Sequence, residues 1–226
     1  MTSTHQKDSS PSPFVRTCFT DPNVERCKRT NIWMSFLHAL IAGTLAIYSL
    51  WIYSPDIHND YIGHITWLTY LIGCFSFGYF CYDSMDIISN RRGADLWQMV
   101  LHHVIVIFTF GPNIVRLKNV GYQTLTLLAE FNSIFLHMRR LFELYNISPH
   151  NQIVRLNMYI NQITFIICRF GMLACISLGV YHDGERIGVY YYKYIAYICL
   201  PALWIMNPYL LYRLLCADFS RKAKSK

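Results

Sequence analysis

Six apolar blocks, at about 33–53, 62–82, 96–110, 120–138, 158–181 and 189–215, restrict the fold of this chain more than any other feature. A stretch of roughly 20 apolar residues crosses a hydrocarbon core as a helix, because a helix satisfies its own backbone hydrogen bonds where no water can. Charged residues make up 15% of the chain, against about 25% in an ordinary globular domain, and hydrophobic residues make up 54%. The sequence therefore predicts an all-α, polytopic membrane protein with about six transmembrane helices. The expected segments are a polar and basic N-terminal tail over 1–30, a membrane domain over 31–216 and a basic C-terminal tail over 217–226. The opening MTSTHQKDSSPSPF is too polar to bury a core and reads as disordered.

The net charge of +7 does not form a nucleic-acid face, because the basic residues lie between and beyond the apolar blocks. Their placement instead orients the chain. With the N-terminus inside, Lys7, Arg16, Arg26, Lys28, Arg29, Arg91, Arg92, Arg139, Arg140, Arg155, Arg213, Arg221, Lys222, Lys224 and Lys226 are internal, and only Arg116, Lys118 and Arg186 fall in outer loops. The positive-inside rule then places both termini in the cytoplasm. Cys74, Cys81, Cys168, Cys175, Cys199 and Cys216 sit inside apolar blocks without zinc-ligand spacing, so they read as small packing residues and no metal site is expected.

Ionisable groups inside the blocks are the functional candidates, since each costs about 3 kcal/mol or more at mid-membrane unless it is partnered or faces water. The pair His102–His103 lies in the third block, Glu130 in the fourth and Arg169 in the fifth. Asp83, Asn161 and Asn207 fall at similar depth, so a single cytoplasm-facing polar cavity would gather them. Neighbouring helical residues diverge by about 100°, so one histidine can face the cavity while the other braces a neighbouring helix. A carboxylate such as Glu130 suits the role of orienting a proton-carrying histidine, or of pairing with Arg169. A helix-packing His–Glu pair without chemistry accounts for the same residues. His38 and His137 read as interfacial or packing residues.

With these residues identified, the sequence resembles the TLC family. The resemblance rests on GYFCYDSMDI at 78–87, WQMVLHHVIVIF at 97–108 and EFNSIFLHMR at 130–139, and it covers about 33–215. The last motif is similar to an E-x-S-x-x-F-x-x-x-R pattern of the branch that does not synthesise ceramide, with Asn132 in place of the small residue and Arg139 at its end, and both are expected with Asp83, Asn161, Arg169 and Asn207 as lipid-binding cavity residues. Ceramide synthases follow their His-His pair with a His-Asp pair one helix later, and here those positions hold Ala129 and Glu130. The resemblance implies a regulator of membrane phospholipid composition and fluidity that limits incorporation of polyunsaturated acyl chains. Its alternatives are an acyltransferase on a lipid amine or hydroxyl, with acyl-CoA as co-substrate and His102, His103 and Glu130 as catalytic residues, or a lipid transporter or chaperone. No cofactor is expected. The partners implied are membrane lipids and phospholipid acyl chains, with homo- or hetero-oligomers involving lipid-remodelling enzymes left open. The resemblance implies the plasma membrane, whereas Lys222 and Lys224 near the C-terminus fit retrieval to the endoplasmic reticulum.

Overall fold

The computed structural model describes residues 22–90 and 96–224 as a bundle of helices. Most of the expected tail with Cys18, the Arg91-Arg92-Gly93 turn and Ser225-Lys226 lie outside the described residues. Helix α1 (Pro22–Ile52) starts earlier than expected, so the charged collar around Arg26 and Arg29 is helical rather than tail. Proline suits a helix start because its missing N–H would have no partner there. A short helix α2 (Ser54–Asn59) follows, and then a turn at Asp60, whose Oδ1 accepts hydrogen bonds from the Gly63 and Ile62 amides at 3.1 and 3.3 Å.

Helix α3 (Trp67–Asn90) begins in a reciprocal cap: the Thr69 amide donates to Thr66 Oγ1 at 3.2 Å and the Thr66 amide to Thr69 Oγ1 at 3.0 Å. It runs through Asp83 and Asp86, which were expected to close it. Both acids are kept inside the helix by partners: Asp83 faces His103, and Asp86 accepts from Asn31 Nδ2 at 2.5 Å. Helix α4 (Leu96–Arg116) likewise continues past the expected stop at Gly111-Pro112. A proline inside a helix removes one ladder bond. In the loosened turn, the Tyr191 hydroxyl lies 2.9 Å from the Thr109 carbonyl.

The expected fourth block is two helices, α5 (Val120–Thr126) and α6 (Leu128–Leu144), broken at Leu127. Before α5, Asn119 adopts a left-handed φ of 61°, which Asn tolerates better than most residues. The Asn119 and Gly121 amides donate to the Ile62 and Tyr61 carbonyls at 2.8 and 3.1 Å, tying α5 to the Asp60 loop. Helix α7 (Gln152–Phe165) is capped by the Asn151 side chain, which accepts from the Ile153 amide at 2.9 Å. A π turn (Ile166–Gly171) leads into α8 (Met172–Ile187). Helix α9 (Val189–Tyr194), a second π turn (Ile195–Cys199) and α10 (Leu200–Lys224) complete the chain, with Pro208 inside α10.

Four stretches are long and apolar enough to cross a membrane: Arg29–Ile52, Trp97–Arg116, Gln152–Gly184 and Ile195–Asp218. The chain is thus an all-α, multi-pass membrane protein. Helix α3 carries two acids and α6 has 17 residues, yet both pack within the bundle, α3 on α4 and α1, and α6 on α1 and α7. Among the described glycines, the tightest contact with another backbone is at Gly43 on α1, where a Cβ would lie 2.5 Å from the Phe131 amide nitrogen of α6. Two buried clusters fill the interior, one around Tyr122, Leu173 and Leu200 and the other around Ala42, Phe80 and Phe110. Trp51, Trp67, Ile88, Phe108 and Ile205 point outward, as lipid-facing residues do.

Surface electrostatics concentrate at the Asp60 loop. The Gly63 amide, and then Arg186 at 3.0 Å, hold the Asp60 carboxyl below its ordinary value. A depressed folded-state pKa adds stability above the unfolded carboxylate value, and that stability is lost as pH falls through the folded value. Thermal melting in detergent is therefore expected to show a small acid-side loss of stability, below pH ~4, that Asp60→Asn reduces. Solvent screening keeps the effect to a fraction of a kcal/mol.

Candidate functional site

A cavity open to the outside lies between α4, the α5–α6 break, the first π turn with α8, and the final helical stretch. On α4, residues His102, Ile105, Val106, Thr109 and Asn113 recur at helical spacing and present one face to it. Its middle is apolar, lined by Ile105, Val106, Phe110, Met172, Ile176 and Leu203. His102, Arg169 and Asn207 stand toward one end, and Asn113, Asn119 and Tyr191 toward the other. Beyond the first of these ends, called the basic end below, α4 continues back to Gln98, whose Oε1 accepts from Arg213 Nη1 of the last helix at 3.4 Å. A largely apolar space with a guanidinium toward one end and uncharged polar groups toward the other suits an amphiphile with a polar or anionic head.

The two adjacent histidines divide as helix geometry requires. His102 lines the cavity, while His103 turns to α3 and places Nε2 3.5 Å from Asp83 Oδ2. Phe80 packs against both rings, which are 5.8 Å apart. Among the described residues, no side chain hydrogen-bonds the His102 imidazole, so its nitrogens remain available to a cavity occupant.

Glu130 does not orient either histidine of the pair. It is buried against α1, 3.7 Å from His38 Nδ1. The physical reason is the one-residue step on α6: Ala129 takes the cavity face, which leaves Glu130 about 100° away. His38, expected at an interface or in packing, is 2% exposed and stacks on Tyr79 with ring centroids 3.8 Å apart. Nothing in its apolar sequence context distinguishes it from a packing histidine; only the fold brings it to Glu130.

The other expected cavity residues do not share one space. Asn132 is fully buried and donates from Nδ2 to Asn161 Oδ1 at 2.9 Å and to Thr164 Oγ1 at 3.1 Å. Its Oδ1 accepts from Arg169 Nε at 2.8 Å, and Arg169 Nη2 donates to Ser133 at 3.2 Å. Asn132 and Asn161 therefore hold Arg169 at the cavity wall from behind. The π turn re-aims Arg169, as such inserts do where they re-register side chains. Its guanidinium lies within electrostatic reach of Glu130, which it was expected to meet, but its direct bonds are to Asn132 and Ser133. Arg139 pairs instead with Asp218 at 2.6 Å, and Gln162 donates to the same carboxylate at 2.9 Å, locking α6, α7 and α10 together. Asp83 is committed to His103, so among the residues proposed from sequence His102, Arg169 and Asn207 line the cavity. Among the described residues, no group of three or more His, Cys, Asp or Glu side chains converges to hold a metal ion.

Comparison with known proteins gives this geometry a family. A TLC-domain profile matches residues 28–216. The chain is 31% identical over 199 residues to TLC domain-containing protein 2 of Danio rerio, an alignment spanning 88% of this chain and 80% of that protein. It is 34% identical over 139 residues to TLC domain-containing protein 1 of Gallus gallus, spanning 62% of this chain and 54% of the relative. Against the Homo sapiens TLC domain-containing protein 1 it is 31% identical over 147 residues, 65% of this chain and 59% of the relative. The matched region thus spans little more than half of the last two relatives. No solved structure matches. The match over most of its length, with the His102–His103 and Glu130–Arg139 stretches inside it, makes this chain a member of the TLC-domain family.

Proposed function

We propose that this protein sets the acyl-chain composition of membrane phospholipids, and with it bilayer fluidity, by holding an acyl chain in the cavity between α4 and the last helix. It limits the incorporation of polyunsaturated chains, acting as a regulator rather than as a synthase. One observation carries this reading: a cavity within a membrane bundle with many apolar lining residues, with the Arg169 guanidinium beside His102 and Asn207 at one end and the uncharged Asn113, Asn119 and Tyr191 at the other. That arrangement suits a chain in the middle and a carboxyl, ester or phosphate at the polar end. The six-span topology with cytoplasmic termini belongs to this proposal, as does residence in the plasma membrane, with the endoplasmic reticulum as the alternative.

A second reading has its own support. The His102 imidazole faces the cavity without a hydrogen-bonding side chain among the described residues. In an acyltransferase it would take the proton from a lipid amine or hydroxyl as that group attacks the carbonyl carbon of an acyl-CoA. The carbon–sulfur bond then breaks, and coenzyme A leaves as the thiol after taking up the proton. Against it stand Ala129 in place of a second histidine and a Glu130 turned toward His38. Purified protein in liposomes, supplied with labelled acyl-CoA and membrane lipid extract, separates the two. The regulator reading predicts no transfer above a protein-free control. Transfer that His102→Ala reduces by about 100-fold or more, in the range of an acid–base contribution, would establish the enzyme instead.

A further inference from the structure

Two helical stripes face each other along one side of the cavity. On α4, Gln98, His102, Ile105, Thr109 and Asn113 recur at intervals of three and four and share a face. On the final stretch, Tyr191, Ile195, Cys199, Leu203 and Asn207 recur at every fourth position, and all five line the cavity. In an unbroken α-helix that spacing drifts by about 40° per step. The wider π turn at Ile195–Cys199 rotates less per residue and offsets the drift, keeping the stripe on the cavity.

The stripes are pinned to each other at both ends. At one, the Tyr191 hydroxyl lies 2.9 Å from the Thr109 carbonyl and 2.9 Å from Asn113 Oδ1. At the basic end, Arg213 Nη1 donates to Gln98 Oε1 at 3.4 Å, and the Trp97 and Tyr209 rings meet at 6.3 Å. Between the pins α4 and α10 do not pack closely; α4 packs on α3 and α10 on α8. From Gln98 to Thr109, α4 rises about 16 Å. Val104 and Phe108 on α4 and Ile198 and Ile205 on the final stretch are exposed apolar groups that would contact lipid.

Polarity at the basic end supplies the second clue. Gln98 is more than nine-tenths buried, and its Nε2 donors have no hydrogen-bond partner among the described residues. A buried donor of this kind suits an acceptor, and the neighbouring guanidinium favours an anionic one. We propose that the gap between α4 and α10 is a lateral portal through which one acyl chain of a glycerophospholipid enters the cavity from the bilayer, its phosphate received by Gln98 and Arg213. This rests on the reading of the cavity as an acyl-chain site and adds where the chain comes from and by which route.

The test uses the full chain in liposomes containing phosphatidylcholine with a diazirine in one acyl chain, followed by irradiation and peptide mapping. A parallel sample carries a diazirine fatty acid. The portal predicts phospholipid label on Ile105, Cys199 or Leu203. Leu203→Trp is expected to reduce that label at least ten-fold, and Gln98→Leu several-fold. Ile195→Trp, near the other pin, serves as a second block should Leu203→Trp lower the melting temperature. Label from the fatty acid but not from the phospholipid would overturn the portal and leave the acyl-chain cavity standing. Phospholipid label confined to the outward residues Phe108 and Ile198 would overturn the portal as well. Absence of cavity label from both probes would overturn portal and cavity together.

Discussion

Gly43→Ala is expected to destabilise the protein by about 2 kcal/mol, and Gly43→Leu to prevent assembly of the bundle, because added side-chain volume at a tight contact forces backbone shifts. The Ala Cβ would lie 2.5 Å from the Phe131 amide nitrogen and 2.9 Å from the Glu130 carbonyl carbon, so α1 and α6 would have to separate. Both neighbours are helix backbone and cannot swing aside as a flexible side chain would. Small residues permit this kind of close approach between membrane helices, where packing rather than water exclusion drives association. Separation would also pull Glu130 from His38, so the damage reaches the polar interior. The control is Gly78→Ala on α3, where a Cβ meets nothing within 4 Å. That variant is expected to melt at or slightly above the wild-type temperature, given the better helix propensity of alanine.

The second large effect is at Asn132. Its side chain joins Asn161 and Thr164 on one side to Arg169 on the other. Asn132→Leu removes the acceptor of Arg169 Nε and the donor to Asn161, leaving a charge and an acceptor short of partners in a dry interior. Breaking a buried charged interaction costs about 3 kcal/mol or more. Replacing both partners by apolar groups of similar volume is far cheaper. The double variant Asn132→Leu with Arg169→Met is therefore expected to recover most of the melting temperature lost by the single one. Cells carrying the double variant should still lack the protein's effect on phospholipid composition, since the cavity has lost the Arg169 guanidinium. A double variant as unstable as Asn132→Leu alone would show that the network's role is packing and not charge compensation.

Much of the architecture was legible in the sequence because long apolar blocks and their polar interruptions follow from the chemistry of a bilayer. The divergence of His102 and His103 followed from helix geometry alone. Helix ends were less legible. Asp83, Asp86 and Pro112 read as stops, yet all three lie inside helices, and the two acids have partners supplied from elsewhere, His103 and Asn31. The break at Leu127 and the two π turns leave no signature in an apolar block, yet they decide which residues face the cavity. The single polar cavity expected to gather the buried residues divides into separate clusters for the same reason. Depth could be estimated from position along each block, but azimuth around each helix depends on those local irregularities. His38 was overlooked as a partner for Glu130 because only the Gly43 contact brings α1 so near α6.

The claim that the cavity holds an acyl chain whose handling sets phospholipid composition is tested most directly by filling the cavity and reading the lipids of the cell. Ala129 lines the cavity on α6. Ala129→Phe would occupy that space without removing a polar group. The account predicts that cells expressing this variant, at wild-type protein level, show the same rise in polyunsaturated phospholipid species as cells lacking the protein. A phospholipid profile indistinguishable from that of wild-type cells, with the variant folded and equally abundant, would contradict it.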